Sequence, residues 1–149
     1  LGILNRVQVP VKKMNFMDIA EHYFSEQECH EMQRLSLEER AVRFYLLWTL
    51  KESYLKSKGE SVLSLKRRTA FSVNKTGQIE FLQDKNYNFI TFQPKPNYIS
   101  SVAVEGVMSL SDNVSIEEVI PLVSRNKKEL QLLGATSGSV KQVTKGESR

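Results

Sequence analysis

The sequence predicts an α+β fold in which one long helix packs on a small antiparallel sheet. The first observation is the stretch FYLLWTLKESYLKSKG, residues 44–59, which is rich in helix-forming residues and contains no glycine or proline before Gly59. The second is that the hydrophobic pattern after Gly59 changes from a helical period to an alternating one, which is typical of strands. A chain of 149 residues is long enough to form one domain around a single core.

The long helix has sequence signals at both ends. Ser36 and Glu39 fit a Ser-x-x-Glu capping box at its start. Gly59 suits the left-handed conformation in which many helices end. Between these ends the apolar and aromatic residues recur at helical spacing and form one stripe: Ala41, Phe44, Tyr45, Trp48 and Leu55.

The other predicted elements lie on both sides of this helix. A strand over residues 1–9 precedes a short helix over 15–23 with Asn15 as its cap, and Ser25 with Glu28 forms a second capping box that opens a helix to about residue 35. Alternating segments over 69–74, 78–83, 88–93 and 98–104 predict an antiparallel meander. Residues 115–127 could form an amphipathic helix, which Pro121 would kink. The polar composition of residues 131–149 predicts a disordered tail, which leaves 1–130 as the domain.

Composition excludes several classes of function. The net charge of +4 suits a protein that meets acidic partners or phosphates, but no nucleic-acid-binding signature accompanies it. No apolar run is long enough to span a bilayer, so we expect neither a nucleic-acid nor a membrane partner. The single cysteine, Cys29, excludes a disulfide framework and is typical of a reducing compartment, so we expect a cytoplasmic protein with Cys29 as a partly buried thiol. His22 and His30 do not form a zinc pattern.

A charged triplet, Lys51, Glu52 and Lys56, interrupts the apolar character of the long helix. Glu52 and Lys56 are four residues apart and therefore share a face. One interpretation is a solvated ion pair, which contributes roughly 0.2–0.5 kcal/mol and is common on helices. The other is a carboxylate that holds a divalent cation beside a lysine that binds a phosphate. Spacing alone leaves both interpretations open.

The residues around this triplet add a family resemblance. The stretch WTLKESYLKSKG, residues 48–59, resembles the W-x-x-K-E-x-x-x-K signature of 4′-phosphopantetheinyl transferases, in the longer form that activates peptide and polyketide synthases. Phe44-Tyr45 and the earlier stretch YFSEQE, residues 23–28, are similar to the F-Y and F-F-S-x-x-E elements of that family. The resemblance covers residues 1 to about 104 and corresponds to the C-terminal half of the longer enzymes.

The resemblance implies a fold, a reaction and a set of roles. The sheet would pack against the long helix, and the protein would transfer the 4′-phosphopantetheine arm of coenzyme A to a serine of an acyl or peptidyl carrier protein in fatty acid, polyketide or nonribosomal peptide biosynthesis. Glu52 would bind Mg²⁺ and could act as the base, while Lys56 would stabilise charge on the phosphates of coenzyme A. Lys51 would contact phosphate or position the helix. Glu28 would assist the metal site, cap its own helix, or do both, and Trp48 would pack the helix onto the sheet.

The first strand departs from the family pattern. The Asp-x-Glu metal ligands of the family fall on Leu4 and Arg6 when the strand is anchored at Gly2, and a slip of one residue would place Asn5 at the Asp position. Mg²⁺ prefers anionic oxygen ligands. This departure supports a second hypothesis, a catalytically impaired half-protein that acts in binding or assembly and is completed by a second half-domain chain or by self-association.

The basic cluster Lys66-Arg67-Arg68 also has two interpretations. It could be the solvated edge of a strand, where positive charge discourages edge-to-edge pairing. Alternatively, it could contact the phosphates of coenzyme A or an acidic carrier protein.

Overall fold

The structure is a computed structural model that describes residues 3–8, 15–61, 69–106, 116–120, 124–128 and 131–136. Three helices and eight strands occur in these ranges, and no helix among them combines the length and the apolar character needed to cross a membrane. In chain order the elements are β1 (Ile3–Gln8), α1 (Phe16–Tyr23), α2 (Glu26–Gln33), α3 (Leu37–Ser57), β2 (Phe71–Val73), β3 (Gln78–Phe81), β4 (Tyr87–Gln93), β5 (Tyr98–Glu105), β6 (Ile116–Ile120), β7 (Ser124–Lys128) and β8 (Gln131–Thr136).

The sheet of six strands has the order β1-β5-β4-β8-β3-β2. Its neighbouring strands are antiparallel except for β3 and β8, which run parallel. The helix α3 lies against β5, β1 and β4, while α1 and α2 pack beside α3. The predicted α+β fold, a long helix on a mainly antiparallel sheet, is therefore confirmed.

The predicted ends of α3 are confirmed in detail. The Ser36 hydroxyl accepts the backbone N–H of Glu39, and the Glu39 carboxylate accepts the backbone N–H of Ser36, so both halves of the capping box are present. Gly59 has a φ of 72° after the last turn. The N–H of Gly59 bonds to the carbonyl of Lys56, and the next N–H bonds to the carbonyl of Leu55, which is the Schellman pattern.

The caps of the two shorter helices differ from each other. Ser25 and Glu28 form the predicted capping box at the start of α2. Asn15 occupies the N-cap position of α1, but its side chain makes no capping hydrogen bond. Cys29 lies in α2 with its side chain buried, which agrees with its interpretation as a structural residue.

The core joins α3 to one face of the sheet. Its centre is aromatic: Phe71 and Phe81 stack with centroids 4.5 Å apart, and Phe89 meets the Phe71 ring edge-on at 5.0 Å. Tyr54 of α3 contacts the Phe81 ring at 4.8 Å. Leu50 is fully buried on the same helix. Burial of such side chains supplies most of the free energy that holds a helix on a sheet.

Three sequence predictions need correction. The segment 115–127 is not a helix, because residues 116–120 and 124–128 form the antiparallel strands β6 and β7. Pro121 lies between these strands in the sequence, where it cannot continue a helix. The simple meander is also wrong, because β8 inserts between β3 and β4. Residues 131–136 of the predicted tail therefore belong to the sheet, and residues 137–149 lie outside the described residues.

Two glycines explain why β8 can insert there. A Cβ atom on Gly77 would lie 2.7 Å from the carbonyl oxygen of Leu133, and a Cβ atom on Gly134 would lie 2.7 Å from the carbonyl oxygen of Gly77. A side chain at either position would force the neighbouring backbone to shift. The N–H of Ala135 then donates to the Gly77 carbonyl at 3.0 Å. The close backbone approach thus holds β8 at the turn between β2 and β3.

Candidate functional site

The helix α3 presents its three charged site residues in different environments. Lys51 is only 2% exposed, Glu52 is half-buried and Lys56 is exposed. Successive residues of an α-helix are rotated by about 100°, so Lys51 and Lys56 point about 140° apart. Glu52 and Lys56 lie one turn apart on the accessible side. The structure therefore separates Lys51 from the other two predicted site residues.

Lys51 is held by an internal ion pair. Its Nζ lies 2.8 Å from Oε2 of Glu28, whose side chain is 1% exposed. The same ammonium donates to the carbonyl oxygen of Thr69, and it donates to Oγ1 of Thr69 at 3.3 Å. The rings of Phe24 and Phe71 lie 5.2 and 5.8 Å from the Nζ. The predicted contact of Lys51 with a phosphate would therefore require this pair to open.

Glu28 joins three parts of the chain. Its Oε2 accepts the backbone N–H of Ser25 at 2.7 Å, which completes the capping box of α2. Its Oε1 accepts the backbone N–H of Phe71 at 2.8 Å, at the first residue of β2. Together with the ion pair to Lys51, these bonds connect α2, α3 and β2. The cap interpretation of Glu28 is confirmed, and its bonds are all internal to the fold.

Burial shapes the electrostatics of this pair. Desolvation lowers the pKa of Lys51, while the charge of Glu28 and its hydrogen bond to the ammonium raise that pKa and offset part of the effect. A buried ion pair costs desolvation free energy and is stable only when its hydrogen bonds are made. Here they are made on both partners, which offsets part of the cost of burying the pair.

Trp48 has an aromatic environment. Its ring lies 5.5 Å from that of Tyr23, 6.4 Å from that of Phe24 and 5.7 Å from that of Phe44. These neighbours belong to α1, to the residue that follows α1, and to α3 itself. Trp48 is thus a packing residue, as expected, and its ring contacts among the described residues lie in the helical layer.

The residues that could hold a metal do not form a complete site. No cluster of three or more His, Cys, Asp or Glu side chains occurs in the part of the chain that the structure describes. In β1, Leu4 pairs with Val102 and Arg6 pairs with Ser100 of β5, and β1 lies beside α3. The strand expected to supply the metal ligands is thus next to the helix of Glu52, but it carries a leucine and an arginine there. Mg²⁺ usually binds through one or two carboxylates together with waters and substrate phosphates, so within the described residues Glu52 would supply one ligand of such a site and β1 would supply none.

A buried hydroxyl cluster was not predicted. The Oγ1 of Thr49 lies 2.7 Å from the Oγ of Ser101, and the Oγ1 of Thr91 lies 3.1 Å from the same oxygen. All three side chains are fully buried between α3, β5 and β4. Neither this cluster nor Thr69 carried a signal in the sequence, because their partners are far apart in the chain. The predicted cluster Lys66-Arg67-Arg68 lies outside the described residues.

A cavity of about 710 Å³ lies at the N-terminal half of α3. Leu35, Val42, Arg43 and Val73 are among the residues that line it, and Glu52 and Lys56 are not. The Arg43 guanidinium donates to the carbonyl oxygen of Val73 at 2.8 Å. This cavity is therefore separate from the accessible pair Glu52 and Lys56.

Comparison with known proteins identifies the family. The family model of the 4′-phosphopantetheinyl transferase superfamily matches residues 4–104, which extend from β1 into β5 and include all of α3. A Synechocystis sp. protein named "Putative 4′-phosphopantetheinyl transferase slr0495" is 34% identical over 56 residues, which are 38% of this chain and 23% of that relative. The matched segment thus spans about a quarter of the relative's length. Because the family model covers more than half of the chain, the protein belongs to the 4′-phosphopantetheinyl transferase superfamily.

Proposed function

We propose that this chain takes part in the transfer of 4′-phosphopantetheine from coenzyme A to a serine hydroxyl of a carrier protein. The single observation that carries the proposal is the arrangement on α3. Glu52 and Lys56 lie one turn apart on its accessible side, while Lys51 is turned inward. A carboxylate beside a lysine suits a reaction in which a proton is removed and negative charge develops on phosphate oxygens.

The roles of these two residues follow from the bonds that change. The serine Oγ would attack the β-phosphorus of coenzyme A as the bond from that phosphorus to the bridging oxygen breaks and 3′,5′-ADP leaves. Glu52 would accept the serine proton, directly or through a water molecule. The Lys56 ammonium would offset the negative charge that develops on the departing phosphate. The acceptor would be an acyl or peptidyl carrier protein.

Magnesium remains an implied cofactor of this reaction. When bound, it would neutralise the pyrophosphate of coenzyme A. Glu52 is the residue of this chain that would contribute to its binding, but Leu4 and Arg6 supply no further anionic ligand. Waters, the pyrophosphate oxygens of coenzyme A or carboxylates of a second chain would complete its coordination.

A second candidate function rests on the lack of anionic metal ligands at Leu4 and Arg6. A half-protein without its own metal ligands could serve as a binding or assembly subunit, completed by another half-domain chain or by self-association. The observation that favours it is the position of Leu4 and Arg6 on β1, the strand beside α3. In that case Glu52 and Lys56 would contribute to a shared site or to none.

The roles of Glu52 and Lys56 are tested by a transfer assay with a fluorescent coenzyme A and apo carrier proteins. We expect Glu52→Gln and Lys56→Met each to lower the rate by about 100-fold or more. Glu60→Gln and Lys85→Met are matched controls, because both residues are exposed and lie outside the proposed pair. Equal rates for Glu52→Gln and Glu60→Gln, in folded proteins, would remove Glu52 from the site.

A further inference from the structure

We propose that Glu28 and Lys51 form an internal clamp that positions α3 for transfer and does not itself contact coenzyme A. The inference rests on the proposed function, since it assigns positioning roles around the same site. It selects between the alternatives that the resemblance leaves open: contact with phosphate or positioning of the helix for Lys51, and assistance of the metal site or capping of its helix for Glu28. Its basis is the geometry of the pair and the elements that the pair joins.

The hydrogen-bonding capacity of the Lys51 ammonium is fully used inside the protein. An ammonium group has three N–H donors and no acceptor. Its partners are the Oε2 of Glu28, the carbonyl oxygen of Thr69 and the Oγ1 of Thr69. No donor is left for a phosphate. With 2% of its side chain exposed, Lys51 is also nearly inaccessible from solvent.

The carboxylate of Glu28 is engaged in the same way. It accepts the N–H groups of Ser25 and Phe71 as well as the Lys51 ammonium. A carboxylate that already accepts three internal donors is poorly placed to remove a proton from a substrate, because the proton would displace one of these bonds. Glu28 therefore acts on the site through other residues.

The clamp controls the orientation of α3. It ties the helix to the N-terminus of α2 through Ser25 and to the start of β2 through Thr69 and Phe71. Glu52 directly follows Lys51, and a helix fixed at one residue is fixed in rotation at the next. Loss of the clamp would let α3 rotate or shift, and Glu52 and Lys56 would move together.

Lysine labelling tests the inference without requiring activity. The folded protein is treated with acetic anhydride, with and without coenzyme A, and the modified lysines are quantified by peptide mass spectrometry. We expect Lys51 to be at least about tenfold slower than the exposed Lys85 under both conditions, because labelling requires opening of the structure. The inference would be overturned if Lys51 were labelled as fast as Lys85 and if coenzyme A slowed the labelling of Lys51.

The same experiment separates this inference from the proposed function. If coenzyme A slows the labelling of Lys56 and leaves Lys51 unreactive, the result supports both the clamp and the proposed role of Lys56. If coenzyme A changes neither lysine while Lys51 stays unreactive, the clamp stands and the proposed role of Lys56 fails.

Variant kinetics test the positioning role itself. Glu28→Gln removes the charge and keeps one of the two acceptor oxygens, so one of the two backbone N–H groups loses its partner. Lys51→Met removes the ammonium with little change in length. We expect each change to lower kcat about tenfold or more while KM for coenzyme A stays within about twofold, which is the signature of lost positioning. The double variant should lose no more than the worse single variant, because the two residues act as one unit. A rise in KM for coenzyme A in Lys51→Met, with kcat unchanged, would show a direct contact and contradict the clamp.

Discussion

The Oγ1 of Thr49 lies 2.7 Å from the Oγ of Ser101, at a fully buried contact between α3 and β5. Ser101 also meets the Oγ1 of Thr91 at 3.1 Å, and Thr49 donates to the carbonyl oxygen of Leu46. These three buried hydroxyls limit how far α3 can slide along the sheet, because a shift would leave buried polar groups without partners.

Replacement of Thr49 by valine should therefore destabilise the protein although the shape is nearly unchanged. We expect a loss of about 1–3 kcal/mol in the free energy of unfolding, since the hydroxyls of Ser101 and Thr91 lose part of their network. Urea denaturation measures this change. Thr49→Ser, which keeps the hydroxyl and removes one methyl group, is the matched control and should lose less. A more stable Thr49→Val than Thr49→Ser would show that the hydroxyl contact contributes nothing.

The position of β8 gives a second prediction. Gly77 has a φ of 83°, and a Cβ atom there would lie 2.7 Å from the Leu133 carbonyl oxygen. Gly59 has a φ of 72° but has nothing within 4 Å of the corresponding position. Both Gly→Ala changes carry the cost of a left-handed residue, about 1–2 kcal/mol, but only Gly77→Ala must also displace β8, which adds about 1–3 kcal/mol. Equal denaturation midpoints for the two variants would mean that β8 does not lie against this turn.

The capping box of α3 gives a prediction for pH. The backbone N–H and then the hydroxyl of Ser36 hold the pKa of the Glu39 carboxyl below its usual range. Because the pKa of Glu39 is lower in the folded state, its ionised carboxylate stabilises the folded state at pH values above the unfolded pKa of about 4.3. This stabilisation is lost as the pH falls through the folded pKa.

Wild type should thus be more stable than Glu39→Gln at neutral pH, and the difference should shrink on acidification. Urea midpoints across pH 3–7 measure it. Glu38→Gln is the control, because Glu38 is exposed in the same turn. A difference between wild type and Glu39→Gln that grows toward acid pH would contradict the cap.

The absent ligands of β1 give a fourth prediction. The double change Leu4→Asp with Arg6→Glu restores two anionic side chains on the strand beside α3. If Glu52 is competent, magnesium-dependent transfer should rise by at least about tenfold, which is about 1.4 kcal/mol of transition-state stabilisation. Circular dichroism would establish that the variant is folded. No gain in a folded variant would count against the alignment of β1 with the family's metal strand.

Local signals in the sequence were sufficient to place α2 and α3, although they also predicted a helix over 115–127 where β6 and β7 occur. The capping boxes at Ser25 and Ser36 and the glycine at position 59 involve partners within a few residues, so their pattern is visible in the chain. The hairpins β2–β3 and β4–β5 were equally accessible, because alternating strands are joined there by short turns.

Contacts between distant residues could not be predicted in this way. The strand β8 pairs with β3 in parallel and lies between β3 and β4, where Gly77 and Gly134 allow the two backbones to approach closely. No local sequence pattern indicates this pairing. The ion pair of Glu28 and Lys51 joins residues 23 positions apart in the sequence, and its bond to Phe71 spans 43. The family resemblance indicated which residues matter but did not distinguish the buried Lys51 from the exposed Lys56.

The proposed transfer is tested most directly by intact-mass spectrometry of an apo carrier protein incubated with this chain, coenzyme A and magnesium. We expect the carrier to gain the mass of one phosphopantetheine arm on its serine, and we expect no gain with Glu52→Ala or with a carrier whose serine is replaced by alanine. The reaction would be repeated with a candidate second half-domain chain, which would supply the ligands absent at Leu4 and Arg6. No mass gain in either reaction, with folded protein and with a known transferase modifying the same carrier, would contradict the proposed transfer.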